Sequence, residues 1–276
     1  MKILDGLEIA GFIKERQFKQ VKALRQSWRT IPRLAILQTI DDPVIDMYVR
    51  LKIVYGDDIT VEVDVYKLDQ ANLLSKVTEL NADQLVHGII IQLPLSDPTQ
   101  TDIAVNSITP EKDVDGLGES ATLTPATAMA IDWLLAGYNV ELRGKEIALV
   151  GNGRLVGAPL AVLWQKAGLN VKVYDDQTAD LSSAIKTADI IVTATGVPGL
   201  ITSDMVKNGA VVVDAGTAAE HGKIVGDVAT EVRDRHDLTI TPLKGGVGPL
   251  TVAALFDNVI QAARVIADKK GQQDLS

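Results

Sequence analysis

Residues 147–157 read IALVGNGRLVG, and further on residues 171–176 read VKVYDD. Four consecutive apolar residues closed by a glycine are too short for a helix and describe a buried strand. Gly151, Gly153 and Gly157 follow in the spacing G-x-G-x-x-x-G, ahead of a helical pattern running to about Lys166. Glycines there let the backbone turn tightly and approach a pyrophosphate, while the helix N-terminus offers free amides and the positive end of its dipole. The next strand, VKVY, ends at Asp175 and Asp176, the place of the acid that binds the ribose hydroxyls of a dinucleotide. A bare βα turn has the same glycines; strand before, helix after and acid downstream together favour a dinucleotide site. An Asp at this strand end repels a 2′-phosphate, so NAD is favoured over NADP, with Arg154 remaining as a possible phosphate ligand. Asn152 completes the loop.

Outward from this unit the same alternation fills the chain. RLAILQTI, TVEVDVYKL and HGIIIQLPL precede it, and DIIVTATG, AVVVDAG and LTITP follow it, each separated by helical patterns. Strands alternating with helices predict an α/β protein with parallel sheets, and apolar runs without alternation predict strands covered on both faces. TPATAMAIDWLLAGY, residues 124–138, begins with a Thr cap and a Pro and continues with helical spacing, so a connecting helix and a domain boundary are expected there. Three strands fall before it and five after. The expectation is two domains, each a mostly parallel sheet flanked by helices: residues 1–122 with 249–276, and a Rossmann-type domain over 123–248. The amphipathic segment 248–270 is expected to return to the first domain as one long helix, and the tail GQQDLS to fray.

Composition narrows the function. A net charge of −9 speaks against a nucleic-acid partner, and the absence of cysteine removes disulfides, thiolate ligands and thiol nucleophiles. His87, His221 and His236 are too scattered to suggest a metal site. No signal-peptide core and no apolar run near membrane-spanning length stands out, so a soluble cytoplasmic protein with no membrane partner is expected.

Four further motifs carry chemistry. YVRLK places Tyr48 and Lys52 one helical turn apart on a shared face. IIIQLPL brings Gln92 to the carboxyl end of a buried strand, where open α/β sheets bind ligands. PEKDVDG supplies Asp113 and Asp115 in a turn, and GGVGPLT a glycine-rich turn before the last helix. Singly, each has a plain structural reading: a solvated helix face, a strand-end hydrogen bonder, a turn.

In this order, with GNGRLVGAP between them and ILDGLEIA, ADIIVTATGVPG, VVDAGT and VGDV around them, they closely resemble the bifunctional methylenetetrahydrofolate dehydrogenase/cyclohydrolase family. The resemblance covers nearly the whole chain. It implies oxidation of 5,10-methylenetetrahydrofolate with NAD or NADP and hydrolysis of the methenyl product to 10-formyltetrahydrofolate, in one-carbon metabolism that feeds purine biosynthesis. It implies Lys52 as the proton shuttle, with Tyr48 packing on the folate and Gln92 bonding Lys52 or the reacting region. Asp115 would hold the amino-pyrimidine edge of the pterin, and Gly246 and Pro249 would touch the substrate. The cofactor set becomes Gly151, Asn152, Gly153, Arg154, Gly157, Asp175, Asp176, Thr195, Gly196 and Thr217, and a homodimer paired through the nucleotide domain is expected.

The chain departs from the family pattern in places. Ile45 stands where a Ser is usual, and VDGLGESATLTPAT shortens the loop after Gly116, with Leu123 and Thr127 replacing a Cys and a Gly. Lys244 replaces a Pro. Asn152 and Gly153 replace the usual Arg-Ser or Ala-Ser, and the two aspartates replace a basic or His-Ser strand end. The same scaffold also suits a dehydrogenase of another small metabolite, or a dinucleotide-binding protein without turnover.

Overall fold

The computed structural model describes residues 1–220 and 223–273. In chain order its elements are β1 (Lys2–Ile3), α1 (Gly6–Trp28), β2 (Arg33–Gln38), α2 (Pro43–Ile59), β3 (Glu62–Lys67), α3 (Leu73–Ala82), β4 (Gly88–Gln92), α4 (Thr101–Asn106), α5 (Ala126–Gly137), β5 (Ile147–Val150), α6 (Gly157–Lys166), β6 (Val171–Tyr174), α7 (Leu181–Ile185), β7 (Ile190–Thr193), β8 (Val211–Asp214), β9 (Ala218–Glu220), β10 (Lys223–Val225), α8 (Thr230–Arg233), β11 (Thr239–Ile240) and α9 (Val247–Gln273). All eight expected strands form. The chain divides into two units, one holding Gly11–Ala126 and the chain from Val252 onward, the other Met1–Ala10 and Thr127–Thr251.

The first unit is built on a parallel sheet in the order β3-β2-β4, with Leu34 paired to both Val63 and Gly88. Ala35, Leu37, Ile89 and Ile91 pack on one face against Leu73, Val77 and Leu80 of α3. Leu34, Ile36 and Ile90 are buried as well, so β2 and β4 have no solvent face, which explains their lack of alternation, whereas the edge strand β3 stays partly exposed and alternates. Helix α2 starts cleanly because the Asp42 carboxylate accepts from Val44 N at 2.8 Å and Ile45 N at 3.1 Å, ahead of Pro43 in the first turn. The last helix returns here as expected. Tyr55 of α2 stacks on Phe256 of α9 at 5.2 Å, and Gln17 of α1 donates to Ala253 O at 2.8 Å while accepting from the Tyr55 hydroxyl at 2.8 Å. Helix α9 continues through 271–273, where a frayed tail was expected; residues 274–276 lie outside the described residues.

The second unit holds a six-stranded sheet in the order β1-β11-β8-β7-β5-β6, with every pairing parallel. Numbered along the chain from β5, its five main strands run 2-1-3-4-5, a doubly wound order that reverses between β5 and β7. Ala148, Val150, Ile191 and Val212 form its core with Ile185 and Val232 of the flanking helices.

Three features differ from expectation. Lys2 and Ile3 pair with Thr239 and Ile240, so the first ten residues cluster with the six-stranded sheet and not with the segment 11–122 that follows them. A two-residue strand has no periodicity to read, and its partner lies more than 200 residues away. The antiparallel hairpin β9–β10 was also unforeseen, its strands being three residues each. Among the described residues Val247–Asp268 is long and apolar enough to cross a membrane, contrary to the expectation that no run comes near that length, and 61% of that window is buried inside the protein. Its apolar residues serve a core, including Ala253, Ala254, Phe256, Val259 and Ile260.

Candidate active site

In the first unit the sheet order reverses between β2 and β4, and side chains at the carboxyl ends of those strands open onto the crevice this creates. Gln92 ends β4 there, in register with Gln38 at the end of β2. Lys52 reaches the same edge from α2 and donates from Nζ to Gln92 Oε1 at 3.0 Å. Tyr48 precedes Lys52 by one turn, and both are half-buried. Burial pushes the Lys52 ammonium below its ordinary value, while the negative charge of Asp115 pulls it back up. Burial raises the Tyr48 phenol, which therefore stays protonated.

The KDVDG segment sorts into three jobs. Lys112 is buried and donates to Leu80 O at 2.9 Å, Asn81 O at 2.8 Å and Asp83 O at 2.6 Å, closing the C-terminal end of α3. Asp113 bridges to Ile89 beside β4, and its carboxylate accepts from Gly116 N at 2.9 Å and Gly118 N at 2.8 Å. Asp113 thus folds the loop under itself. Gly116 makes that fold possible, with φ +71° and room for no side chain: a Cβ would stand 2.9 Å from the backbone of Pro125. Asp115, between them, is the free-standing acid, pushed up to about 6 by burial and by the charge of Asp113 against the opposing Lys52. A lysine held toward its neutral form, an amide bonded to it and a carboxylate coupled to it make an arrangement suited to acid–base chemistry.

In the second unit Gly151 leaves β5 with φ +103°, and its N–H donates to Tyr174 O at 2.7 Å. A Cβ on Gly157 would lie 2.0 Å from Gly151 O, so the turn closes only with glycine. Gly153 is open, with nothing within 4 Å of an added Cβ, and Asn152 and Arg154 are exposed beside it. No side chain caps the first turn of α6. Across the reversal, the loop after β7 meets this turn: Ala194 O would lie 2.5 Å from a Cβ on Gly151. Gly196, at φ +71°, lies next to Thr217 O, which would be 3.6 Å from its Cβ. Thr195 N donates to the Asp227 carboxylate at 2.7 Å. Asp175 directly follows β6 and is exposed, its Oδ1 accepting from Gln177 N at 3.1 Å; Asp176 is exposed beside it. An open glycine cradle, a bare helix start and an exposed carboxylate at the next strand end fit a dinucleotide's pyrophosphate and ribose.

The structure brings Lys52, Gln92 and Asp115 together, with Tyr48 on the face of Lys52, and gathers the cofactor set on one edge of the second sheet. Gly246 and Pro249 belong to that second unit, where Gly6 N and Leu7 N donate to Gly245 O at 2.8 and 3.2 Å. Ile45 is buried at 7% exposure, so the usual hydroxyl is replaced by core packing. Lys244 is exposed. His87 is buried and accepts from Arg33 N at 3.2 Å, and His221 lies outside the described residues. Among the described residues no group of three metal-binding side chains occurs.

The sequence reading missed the residues that hold these loops. Asp214 accepts from Gly216 N, Asp227 N and Val228 N and pairs with Arg233, while Asp227 accepts from the Thr193 hydroxyl and Thr195 N. Both aspartates stood in quoted segments, VVDAGT and VGDV, yet only their distant partners reveal the function.

Comparison with known proteins shows the family of the chain. The model of the tetrahydrofolate dehydrogenase/cyclohydrolase catalytic domain matches residues 4–115, and that of the NAD(P)-binding domain matches residues 125–267. The chain is 37% identical over 279 residues to the bifunctional protein FolD of Campylobacter jejuni strain RM1221, covering 96% of this chain and 99% of that one. The crystal structure of the bifunctional enzyme FolD, methylenetetrahydrofolate dehydrogenase/cyclohydrolase, from Campylobacter jejuni aligns with a TM-score of 0.89 at 37% identity over 96% of this chain and 99% of that one. The Trypanosoma brucei dehydrogenase–cyclohydrolase, complexed with NADP and an inhibitor, aligns with a TM-score of 0.90 at 30% identity over 95% and 97%.

Proposed function

The chain belongs to the tetrahydrofolate dehydrogenase/cyclohydrolase family, and from that premise we propose how its residues carry out the two reactions. It oxidises 5,10-methylenetetrahydrofolate to the methenyl compound and hydrolyses that to 10-formyltetrahydrofolate. The observation that carries the residue roles is the bond from Lys52 to Gln92 beside Asp115.

For the oxidation, a bound dinucleotide would supply the acceptor for the hydride leaving the carbon that bridges N5 and N10. The lone pairs of those nitrogens stabilise the cation left behind, so no protein base is required and positioning is the main task. Tyr48 packs on the folate, and the Asp115 carboxylate accepts two bonds from the amino-pyrimidine edge of the pterin. Gly246 and Pro249 keep the substrate contacts implied by the resemblance.

Hydrolysis needs proton movement. Water attacks the methenyl carbon and gives a proton to the neutral Lys52 amine as the C–O bond forms. The same proton passes to N5, the bond between N5 and the former methenyl carbon breaks, and the remaining hydroxyl gives its proton to Lys52 as the C=O forms, leaving the formyl group on N10. Gln92 Oε1 takes one Lys52 N–H, which aims the nitrogen lone pair away from the strand end. Burial of Lys52 supports this role, because it brings the amine toward working pH.

Gly151, Asn152, Gly153, Arg154 and Gly157 would hold the dinucleotide, with Thr195, Gly196 and Thr217 on the facing loops. Asp175 and Asp176 favour NAD, their exposed carboxylates accepting ribose hydroxyls and repelling a 2′-phosphate. Pairing as a homodimer through the dinucleotide unit, a cytoplasmic location and a place in purine biosynthesis belong to the same proposal, the first readable by sedimentation.

One paired assay tests the scheme. Wild-type protein is expected to reduce NAD faster than NADP with methylenetetrahydrofolate and to hydrolyse methenyltetrahydrofolate. Lys52→Ala should lower hydrolysis by about 10²–10⁴-fold with NAD affinity unchanged. Undiminished hydrolysis removes Lys52 from the mechanism, and a preference for NADP overturns the cofactor assignment.

A further inference from the structure

Asn258 of α9 is buried at 2% exposure and has no task in the scheme above. Its Nδ2 donates to Val114 O at 2.8 Å and to Thr124 O at 2.9 Å. Those carbonyls bracket the segment 115–123, which begins with Asp115. Both hydrogens of one amide therefore go to the two ends of the loop that carries the recognition carboxylate. Few other bonds close the base of this loop: Ala126 N reaches Asp115 O at 3.4 Å and the Thr122 hydroxyl reaches Pro110 O at 3.1 Å. Asp113 organises the segment from inside, through Gly116 and Gly118. Among the described residues, only Asn258 ties both of its ends to a rigid element, a 27-residue helix.

We propose that Asn258 is a positioning residue for folate recognition, setting through the Val114 and Thr124 carbonyls where the Asp115 carboxylate stands. The inference rests on the folate reading of the site. Two parallel bonds from a carboxylate to a planar donor pair tolerate little displacement, and losing the clamp lets the loop relax by amounts that matter at that scale. Asn258 itself touches neither substrate nor the reacting atoms.

The test uses hydrolysis of methenyltetrahydrofolate by full-length wild type, Asn258→Leu, Asp115→Asn and the double variant. Asn258→Leu keeps the side-chain shape and removes both donors. It should raise KM about tenfold with kcat within about threefold, and leave dinucleotide affinity unchanged. In the Asp115→Asn background the same change should add less than about twofold, because the residue acts through Asp115. Additive effects, or equal losses in kcat and dinucleotide affinity, would show that Asn258 only holds the fold together and would overturn the proposal. If the leucine variant does not fold, Asn258→Ser removes the clamp without overfilling the site and carries the same expectations. Wild type without turnover defeats the folate reading itself, whereas wild-type turnover with an unchanged KM in Asn258→Leu defeats this inference alone.

Discussion

Asp115 and Lys52 form a coupled pair in which each group moves the other. Burial opposes both charges, so the acid is pushed up to about 6 and the amine is pushed down; their attraction partly offsets each shift. The signs lead to a test by pH. In the proposed mechanism hydrolysis needs the neutral amine, so kcat/KM should rise with pH through the Lys52 pKa. Asp115→Asn removes the charge that holds this pKa up, and the rising limb should move to lower pH. A limb that stays in place or moves up would show that the two groups are not coupled in the working enzyme. Tyr48, Lys52, Gln92 and Asp115 were all legible in the sequence as candidates. What the sequence left open was the division of labour in KDVDG, where Lys112 caps α3, Asp113 builds the loop and Asp115 is coupled to Lys52. Adjacent residues of like charge look alike in a string and differ only in what they meet.

At the scale of elements, the strand-turn-helix from β5 to α6 depends on a backbone approach too close for any side chain. Gly157 lies so near Gly151 that an added methyl group would stand 2.0 Å from its carbonyl oxygen. Gly157→Ala must push the start of α6 away from β5 and spread the cradle. NAD affinity should fall at least about tenfold in calorimetry, while hydrolysis of methenyltetrahydrofolate, whose proposed proton carrier Lys52 lies in the other unit, should persist. Retained NAD affinity would mean that the cradle is not the binding element. This glycine turn was readable because its signal is local: apolar run, glycine spacing, helix pattern and acidic strand end all fall within residues 147–176. The hairpin β9–β10 and the strand β1 were not readable, since two or three residues carry no period.

At the scale of the whole molecule, both units are assembled from separate stretches of chain. The three-stranded unit needs α9, whose Phe256, Asp257 and Asn258 meet Tyr55, Arg16, Val114 and Thr124. A chain ending at residue 250 would leave the Gln17 amide without the Ala253 carbonyl and open the apolar surface that Phe256 and Val259 cover. Burying such side chains is worth about 1.5–3 kcal/mol each, and several are lost at once, against a typical domain stability of about 5–15 kcal/mol. Residues 11–126 of that fragment should be cleaved rapidly in limited proteolysis under conditions where the full chain resists. Equal resistance would show that the three-stranded unit has a sufficient core of its own.

The sequence by itself determined where the eight main strands lie, that the two larger sheets are parallel, and where the dinucleotide turn falls. These follow from periodicity and spacing, which act over a few residues, whereas the folate candidates came from the resemblance of the ordered motifs to a family. Only the tertiary structure decided that β1 joins β11, that the sheet reverses between β5 and β7, and that Asn258 spans the Asp115 loop. It alone showed how burial shifts Lys52 and Asp115. These depend on partners far apart in the chain, and a group acquires such neighbours and loses its water only when the sheets and helices have packed.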